Sequence, residues 1–200
     1  MRVTVIDYRA GNLTSVVKAL CSLGAEVVVT EDPESVRGAE RIVLPGVGHF
    51  AATRRLEETG LKTAVVEAIS RQVPFLGICV GLQWLFAGST EAAECKGLGV
   101  LPGSCRRFTP GQKVPHVGWN SLSVRPGSRL LTGVADGSFA YFTHSYWAPV
   151  GEATVAVTSY GEPFSAAVEL GNVMGVQFHP EKSGETGLKV LRNFLELSAC

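Results

Sequence analysis

Nine residues, Phe75-Leu76-Gly77-Ile78-Cys79-Val80-Gly81-Leu82-Gln83, constrain the fold of this chain more than any other stretch. They read as an apolar strand that turns directly into a helix, with a cysteine at the corner. The positions two before and two after such a corner must be small, because strand and helix approach each other closely there. Gly77 and Gly81 occupy them. This nucleophile elbow would present the sulfur at the carboxyl end of a strand, point the N–H groups of a helix start at it, and offer the N–H of Val80 to a developing oxyanion. A cysteine on an apolar strand, taken alone, reads as a buried structural residue. The two glycines reverse that reading. So does His179-Pro180-Glu181 far downstream, since a thiol nucleophile needs a base and the base needs an orienting carboxylate.

An elbow of this kind requires a sheet behind it, and 200 residues at 46% apolar content are enough to build one core, with no room for a second catalytic domain. Basic and acidic residues balance at 18 each, which argues against nucleic-acid binding or an anionic membrane surface and leaves a protein as the expected partner. The cysteines at 21, 79, 95, 105 and 200 form no C-x-x-C pair and no metal-ligand spacing with the histidines, so a reducing, cytoplasmic setting is expected. The N-terminus enters Val3-Thr4-Val5-Ile6 without the charge pattern or cleavage site of a targeting segment, and no run approaches transmembrane length.

The first half alternates strand and helix. A strand at Arg2–Ile6 ends in Asp7, and Asn12 can cap a helix whose inner face is Leu13, Val16, Val17 and Leu20, ended by Gly24. Strands follow at Ala25–Val29 and Arg41–Leu44, with Asp32-Pro33-Glu34-Ser35 as a helix start between them. Leu61, Ala64, Val65, Ala68 and Ile69 make another amphipathic helix before the Cys79 strand. This is the pattern of a parallel sheet, whose ligands bind beyond the carboxyl ends of the strands, where Asp7, Pro45 and Cys79 all fall. After Phe86, short β-rich runs at Val117–Val124, Ala140–Trp147, Thr154–Ser159 and Ala166–Glu169 predict antiparallel or mixed strands. A buried strand at Val173–Phe178 then delivers His179 and Glu181, and a last helix turns Leu188, Leu191, Phe194 and Leu195 inward. One α/β domain over residues 1–200 is expected.

Pro45-Gly46-Val47-Gly48 is an ordinary Gly-rich turn by itself. Read with Cys79, the amides of Gly46, Val47 and Gly48 become the second half of an oxyanion hole. Thr143-His144-Ser145-Tyr146 interrupts an apolar strand with polar residues, and Ser145 and Tyr146 are the candidates to touch a polar substrate. His49, His116 and His144 lack the following carboxylate that marks His179, and are read as ordinary histidines.

These motifs in this order resemble the class I (triad) glutamine amidotransferases. Within that family, Ile6-Asp7-Tyr8, Gly11-Asn12-Leu13, Pro45 to Phe50, Gly118-Trp119-Asn120, Tyr141 to Tyr146 and His179 to Ser183 are similar to the glutaminase subunits of imidazole glycerol phosphate synthases. The likeness covers nearly the whole chain. Arg9 stands where a glycine is common and His49 where a small residue is common. The resemblance implies a flavodoxin-like three-layer α/β fold with an antiparallel portion in its second half. It implies hydrolysis of L-glutamine through a Cys79 thioester with His179 and Glu181, Gln83 as a substrate contact, and no metal or organic cofactor. It also implies release of ammonia to a (β/α)₈-barrel cyclase subunit, with Gly11, Asn12, Trp119, Asn120 and Lys182 as interface candidates. The glutaminase of another synthase, such as that of pyridoxal phosphate, or a cysteine hydrolase of the elbow type would share parts of this constellation.

Overall fold

A computed structural model describes residues 1–10, 13–109 and 111–197. Four parallel strands follow in chain order: β1 (Arg2–Ile6), β2 (Glu26–Thr30), β3 (Ile42–Gly46) and β4 (Phe75–Cys79). Every residue of β3 and β4 is buried, as expected of strands covered on both faces. The later strands are β5 (Gly88–Ser89), β6 (Ser104–Arg107), β7 (His116–Ser121), β8 (Ser123–Val124), β9 (Phe139–His144), β10 (Tyr146–Trp147), β11 (Thr154–Tyr160), β12 (Glu162–Leu170) and β13 (Val173–Val176). The main sheet runs β2-β1-β3-β4-β13-β12-β11-β8. Strand β13 lies parallel to β4 and antiparallel to β12, so it joins the parallel half to the antiparallel half.

The helices are α1 (Leu13–Ser22), α2 (Pro33–Arg37), α3 (Arg54–Glu58), α4 (Leu61–Ser70), α5 (Val80–Gln83) and α6 (Gly184–Glu196). Helices α2 and α3 pack on α4, while α1 and α6 meet the 3₁₀ turn Pro180–Lys182. Asp32 caps α2 by accepting from the N–H groups of Glu34 (3.2 Å) and Ser35 (3.0 Å), as its sequence signature requires. The core runs from Val3 and Leu20 to Phe178 and Phe194. Among the described residues, no helix is long and apolar enough to cross a membrane.

Several details depart from the sequence reading. Pro45 and Gly46 belong to β3 and pair in register with Ile78 and Cys79, so the loop starts only at Val47. Leu188 is half-buried, and Val190 takes the inward place on α6. Strands β5 and β6 carry no alternating pattern; they form by pairing with each other and with β10. The expected cap at Asn12 lies outside the described residues.

A separate ribbon of β7 and β9 stands beside the carboxyl ends of the parallel strands. It is tied to the His179 turn by two hydrogen bonds, His179 N–H to Tyr141 O (2.9 Å) and Tyr141 N–H to Ser183 Oγ (2.9 Å), and within the turn Ser183 O–H donates to His179 O (2.7 Å).

Candidate active site

Cys79 sits at φ 55° and ψ −105°, a backbone region that a non-glycine residue enters only under constraint. The constraint is packing. A side chain at Gly77 would place Cβ 2.3 Å from the carbonyl oxygen of Gly81, and one at Gly81 would lie 2.0 Å from the carbonyl oxygen of Leu44. Both distances are far inside van der Waals contact, so the corner closes only with glycine at both places. The helix that follows, α5, is a single turn, Val80–Gln83. A macrodipole of one turn is weak, and the electrostatic help expected from it reduces to nearby N–H groups, Val80 among them.

Parallel pairing of Gly175 with Gly77 and Val176 with Ile78 aims the chain beyond β13 at the same corner. Gln177, fully buried, donates Nε2–H to Cys79 Sγ at 3.6 Å. Two residues on, His179 turns Nδ1 to Glu181 Oε1 at 2.8 Å, with the two side chains only 1% and 3% exposed. The carboxylate can only accept, so Nδ1 carries the proton and Nε2 faces the sulfur. At rest Nε2 makes no hydrogen bond of normal geometry. Burial opposes the imidazolium, but the Cys79 sulfur and the Glu181 carboxylate outweigh it and push His179 up to about 10. A protonated imidazole held between a carboxylate and a sulfur can deliver a proton to a leaving group at the sulfur's side.

A cavity of about 170 Å³ opens over Cys79, with Gly48, Val80, Gln83, Ser145 and Tyr146 in its wall, together with Glu91, Thr143 and His144. A larger hollow of about 440 Å³ between Phe86 and Val168 is lined by neither Cys79 nor His179. Gln83 is buried, and its Nε2 donates to Tyr146 O (2.8 Å) and to Gln177 Oε1 (3.2 Å), so its donors already hold the cavity wall. Glu91 escaped the sequence reading because it lies in an irregular segment with no motif around it. Its Oε2 accepts the N–H of Phe50 (2.7 Å), which anchors the far end of the Val47–His49 loop and puts a carboxylate in the cavity wall.

The Gly46-to-Gly48 segment is brought to the site in unequal parts. Gly46 is buried in β3, where a Cβ would meet the Tyr8 hydroxyl at 2.3 Å and Val80 Cβ at 2.9 Å. Val47 is half-buried, and Gly48 is exposed at φ 103° with open space around it. The Tyr8 hydroxyl beneath this segment is buried without a partner, and burial, aided by the Cys79 sulfur, pushes its titration upward.

Trp119 is 53% exposed on the ribbon, which decides against core packing. Lys182 is exposed, with its ammonium 5.9 Å from the centroid of the Tyr141 ring. Asn120 is half-buried and bonded to His116 and to Ser159 O. Gly11 and Asn12 lie outside the described residues. Arg9 adopts φ 60°, the conformation glycine takes most easily, and is held by Asp7 Oδ1 (2.7 Å) and Glu31 (3.1 Å). His49 caps the 3₁₀ turn Phe50–Thr53 by accepting from Ala51 N–H at 3.1 Å. His116 and His144, read from sequence as ordinary histidines, are both buried and meet across the ribbon at 3.2 Å.

Residues 4–197 match the family model described as glutamine amidotransferase class-I. The chain belongs to that family. Curated relatives named imidazole glycerol phosphate synthase subunit HisH refine the placement of this amidotransferase. Those of Methanothermobacter thermautotrophicus and Moorella thermoacetica are each 48% identical, over 98% of this chain and 98% and 94% of their own lengths. That of Aquifex aeolicus is 48% identical over 97% of this chain and 96% of its own. The amidotransferase thus groups with the HisH subunits. Among solved structures, one described as a glutamine amidotransferase superposes with a TM-score of 0.77 at 24% identity, covering 97% of each chain. The glutaminase domain of Trypanosoma brucei CTPS with bound acivicin superposes at 0.66 and 16% identity, over 100% of this chain and 96% of its own. At these identities the superpositions establish the fold.

Proposed function

We propose that this chain is the glutaminase subunit of an imidazole glycerol phosphate synthase in histidine biosynthesis, with Cys79, His179 and Glu181 as its catalytic residues. The observation that carries the reading is a cysteine held at φ 55° in a strand-to-helix corner, facing a buried His–Glu pair. The Cys79 thiolate attacks Cδ of L-glutamine, and the tetrahedral oxyanion is received by N–H groups of Val80 and of the Gly46-Val47-Gly48 segment. His179 Nε2–H protonates the departing nitrogen as the C–N bond breaks, which leaves ammonia and a γ-glutamyl thioester. The neutral imidazole then takes a proton from water, the hydroxide adds to the thioester carbon, and loss of the thiolate completes glutamate. Glu181 holds the ring tautomer throughout. Gln83 and the Ser145–Tyr146 edge shape the pocket, and Glu91 supplies the negative charge that a substrate α-ammonium requires.

Ammonia is useful only when an acceptor receives it before bulk water does. Val117, Trp119 and Phe139, each more than half exposed, make an outward apolar face on the ribbon. Thr143, on the same face by its pairing with Val117, reaches the cavity over Cys79. This face, with Lys182 at its side, suits the docking of a (β/α)₈-barrel cyclase subunit that covers the site. Such a subunit would turn ammonia and a ribonucleotide into imidazole glycerol phosphate and an aminoimidazole carboxamide ribotide. Neither the glutaminase of another synthase nor an elbow-type hydrolase is favoured by the names of the relatives. Incubation with an electrophilic glutamine analogue followed by intact-mass measurement tests the chemistry. One adduct on Cys79, absent in Cys79→Ala and blocked by glutamine, is expected; labelling elsewhere, or none in the assembled complex, refutes it.

A further inference from the structure

A file of polar groups in close contact crosses the ribbon behind the glutamine pocket. His144 Nδ1 meets Tyr146 O at 2.8 Å; His144 Nε2 meets His116 Nδ1 at 3.2 Å; His116 Nε2 meets Asn120 Oδ1 at 2.9 Å; and Asn120 Nδ2 donates to Ser159 O at 3.0 Å. Both ends are carbonyl oxygens, which only accept. Asn120 uses Nδ2 on Ser159, so its Oδ1 faces His116 and requires Nε2–H. Tyr146 O likewise requires His144 Nδ1–H. Burial disfavours the charged form of both rings, pushing His144 down to about 3 and His116 below its ordinary value against the hydrogen bond that its Nε2–H donates to Asn120 Oδ1. Each ring has one proton and has turned it outward. The inner contact therefore sets two lone pairs against each other, and it is the longest link in the file.

Aromatic packing holds the rings in that repulsive contact. His116 stacks on Tyr160 with centroids 4.1 Å apart, and His144 is flanked by Phe164 at 5.1 Å and Phe108 at 5.3 Å. The Tyr146 carbonyl is gripped from its other side by Gln83 Nε2–H at 2.8 Å, and Gln83 leads through Gln177 to the Cys79 sulfur. We infer that His144 and His116 are positioning residues for the glutamine pocket: the pair is a wedge that presses the His144 Nδ1–H onto the Tyr146 carbonyl and fixes the Ser145–Tyr146 edge against Gln83. The inference rests on the reading of that cavity as the glutamine site.

Two measurements test it. Steady-state glutamine hydrolysis by the assembled complex should show His144→Phe, which keeps a ring but no donor, raising KM about tenfold while kcat falls by no more than about threefold. His144→Asn, whose Nδ2–H can stand where Nδ1–H stood, should return KM most of the way. Nitrogen-15 NMR of the full-length chain at neutral pH should show His144 protonated at Nδ1 and bare at Nε2, with His116 the reverse. The wedge is refuted by an unchanged KM in His144→Phe, by an Asn variant no better than Phe, or by a proton on His144 Nε2. Should both variants fail to fold, the tautomers of the wild-type chain decide. Failure of the underlying glutaminase reading looks different, because the wild-type complex itself would then leave glutamine intact.

Discussion

Glu181 and His179 form a buried pair, and removing the charge from one partner acts on both chemistry and stability. Glu181→Gln keeps a hydrogen-bonding group but can no longer stabilise the imidazolium, so kcat should fall by about two orders of magnitude or more, with KM less affected. Kinetics of the assembled complex check this, and near-normal turnover would remove Glu181 from the machinery. The same variant carries a pH signature. A histidine raised to about 10 in the folded chain contributes stability that is fully present below its ordinary pKa and is lost as pH rises through the folded value. The Glu181 carboxylate contributes to that rise, so the stability difference between wild type and Glu181→Gln should shrink from pH 6.5 toward about pH 10. Urea unfolding across that range measures it, and a difference that stays constant or widens would contradict the raised His179.

At the scale of elements, the corner β4–α5 depends on two glycines whose replacement has no room to relax. Gly81→Ala sets a methyl 2.0 Å from Leu44 O, a backbone atom of the neighbouring strand, so either β3 shifts or the elbow opens. The expected loss of stability is more than about 3 kcal/mol, beyond the usual range for overpacking, together with loss of Cys79 labelling. Thermal unfolding and the labelling assay check both, and a stable, labelled Gly81→Ala chain would mean that the corner is looser than its distances indicate. These same elements were the legible ones. Apolar runs in Arg2–Ile6, Phe75–Cys79 and Val173–Phe178 and the capped start at Asp32 are local signals, and each produced its element in place or within a residue or two. The Cys79, His179 and Glu181 geometry follows from strand ends that the βαβ pattern already sets side by side. What sequence did not reveal depends on pairing across long separations. Strand β6 exists because it pairs with β10 on one side and β5 on the other, and Glu91 matters because it reaches Phe50. His116 and His144 are cross-strand neighbours, a relation no spacing within one strand can announce.

For the whole molecule, a glutaminase that feeds a partner should be slow alone, because an uncoupled one wastes glutamine. The open space around Gly48 lets the segment after β3 change its peptide orientation, and docking over the cavity can select the orientation with its N–H inward. Glutamine hydrolysis by the lone chain should therefore lag well behind that of the complex carrying its acceptor substrate; equal rates would contradict the coupling. On the docking face, Trp119→Ala and Lys182→Ala should leave Cys79 reactive toward a glutamine analogue yet weaken assembly or leak ammonia, seen as glutamate formed in excess of the synthase product. The division of labour is tested most directly by Cys79→Ala in the assembled complex. Without the sulfur no thioester forms, so glutamine-dependent synthesis should vanish, while an ammonium salt at alkaline pH should restore product through the partner alone. An assembled Cys79→Ala complex that still uses glutamine, or that ammonia fails to rescue, would contradict it.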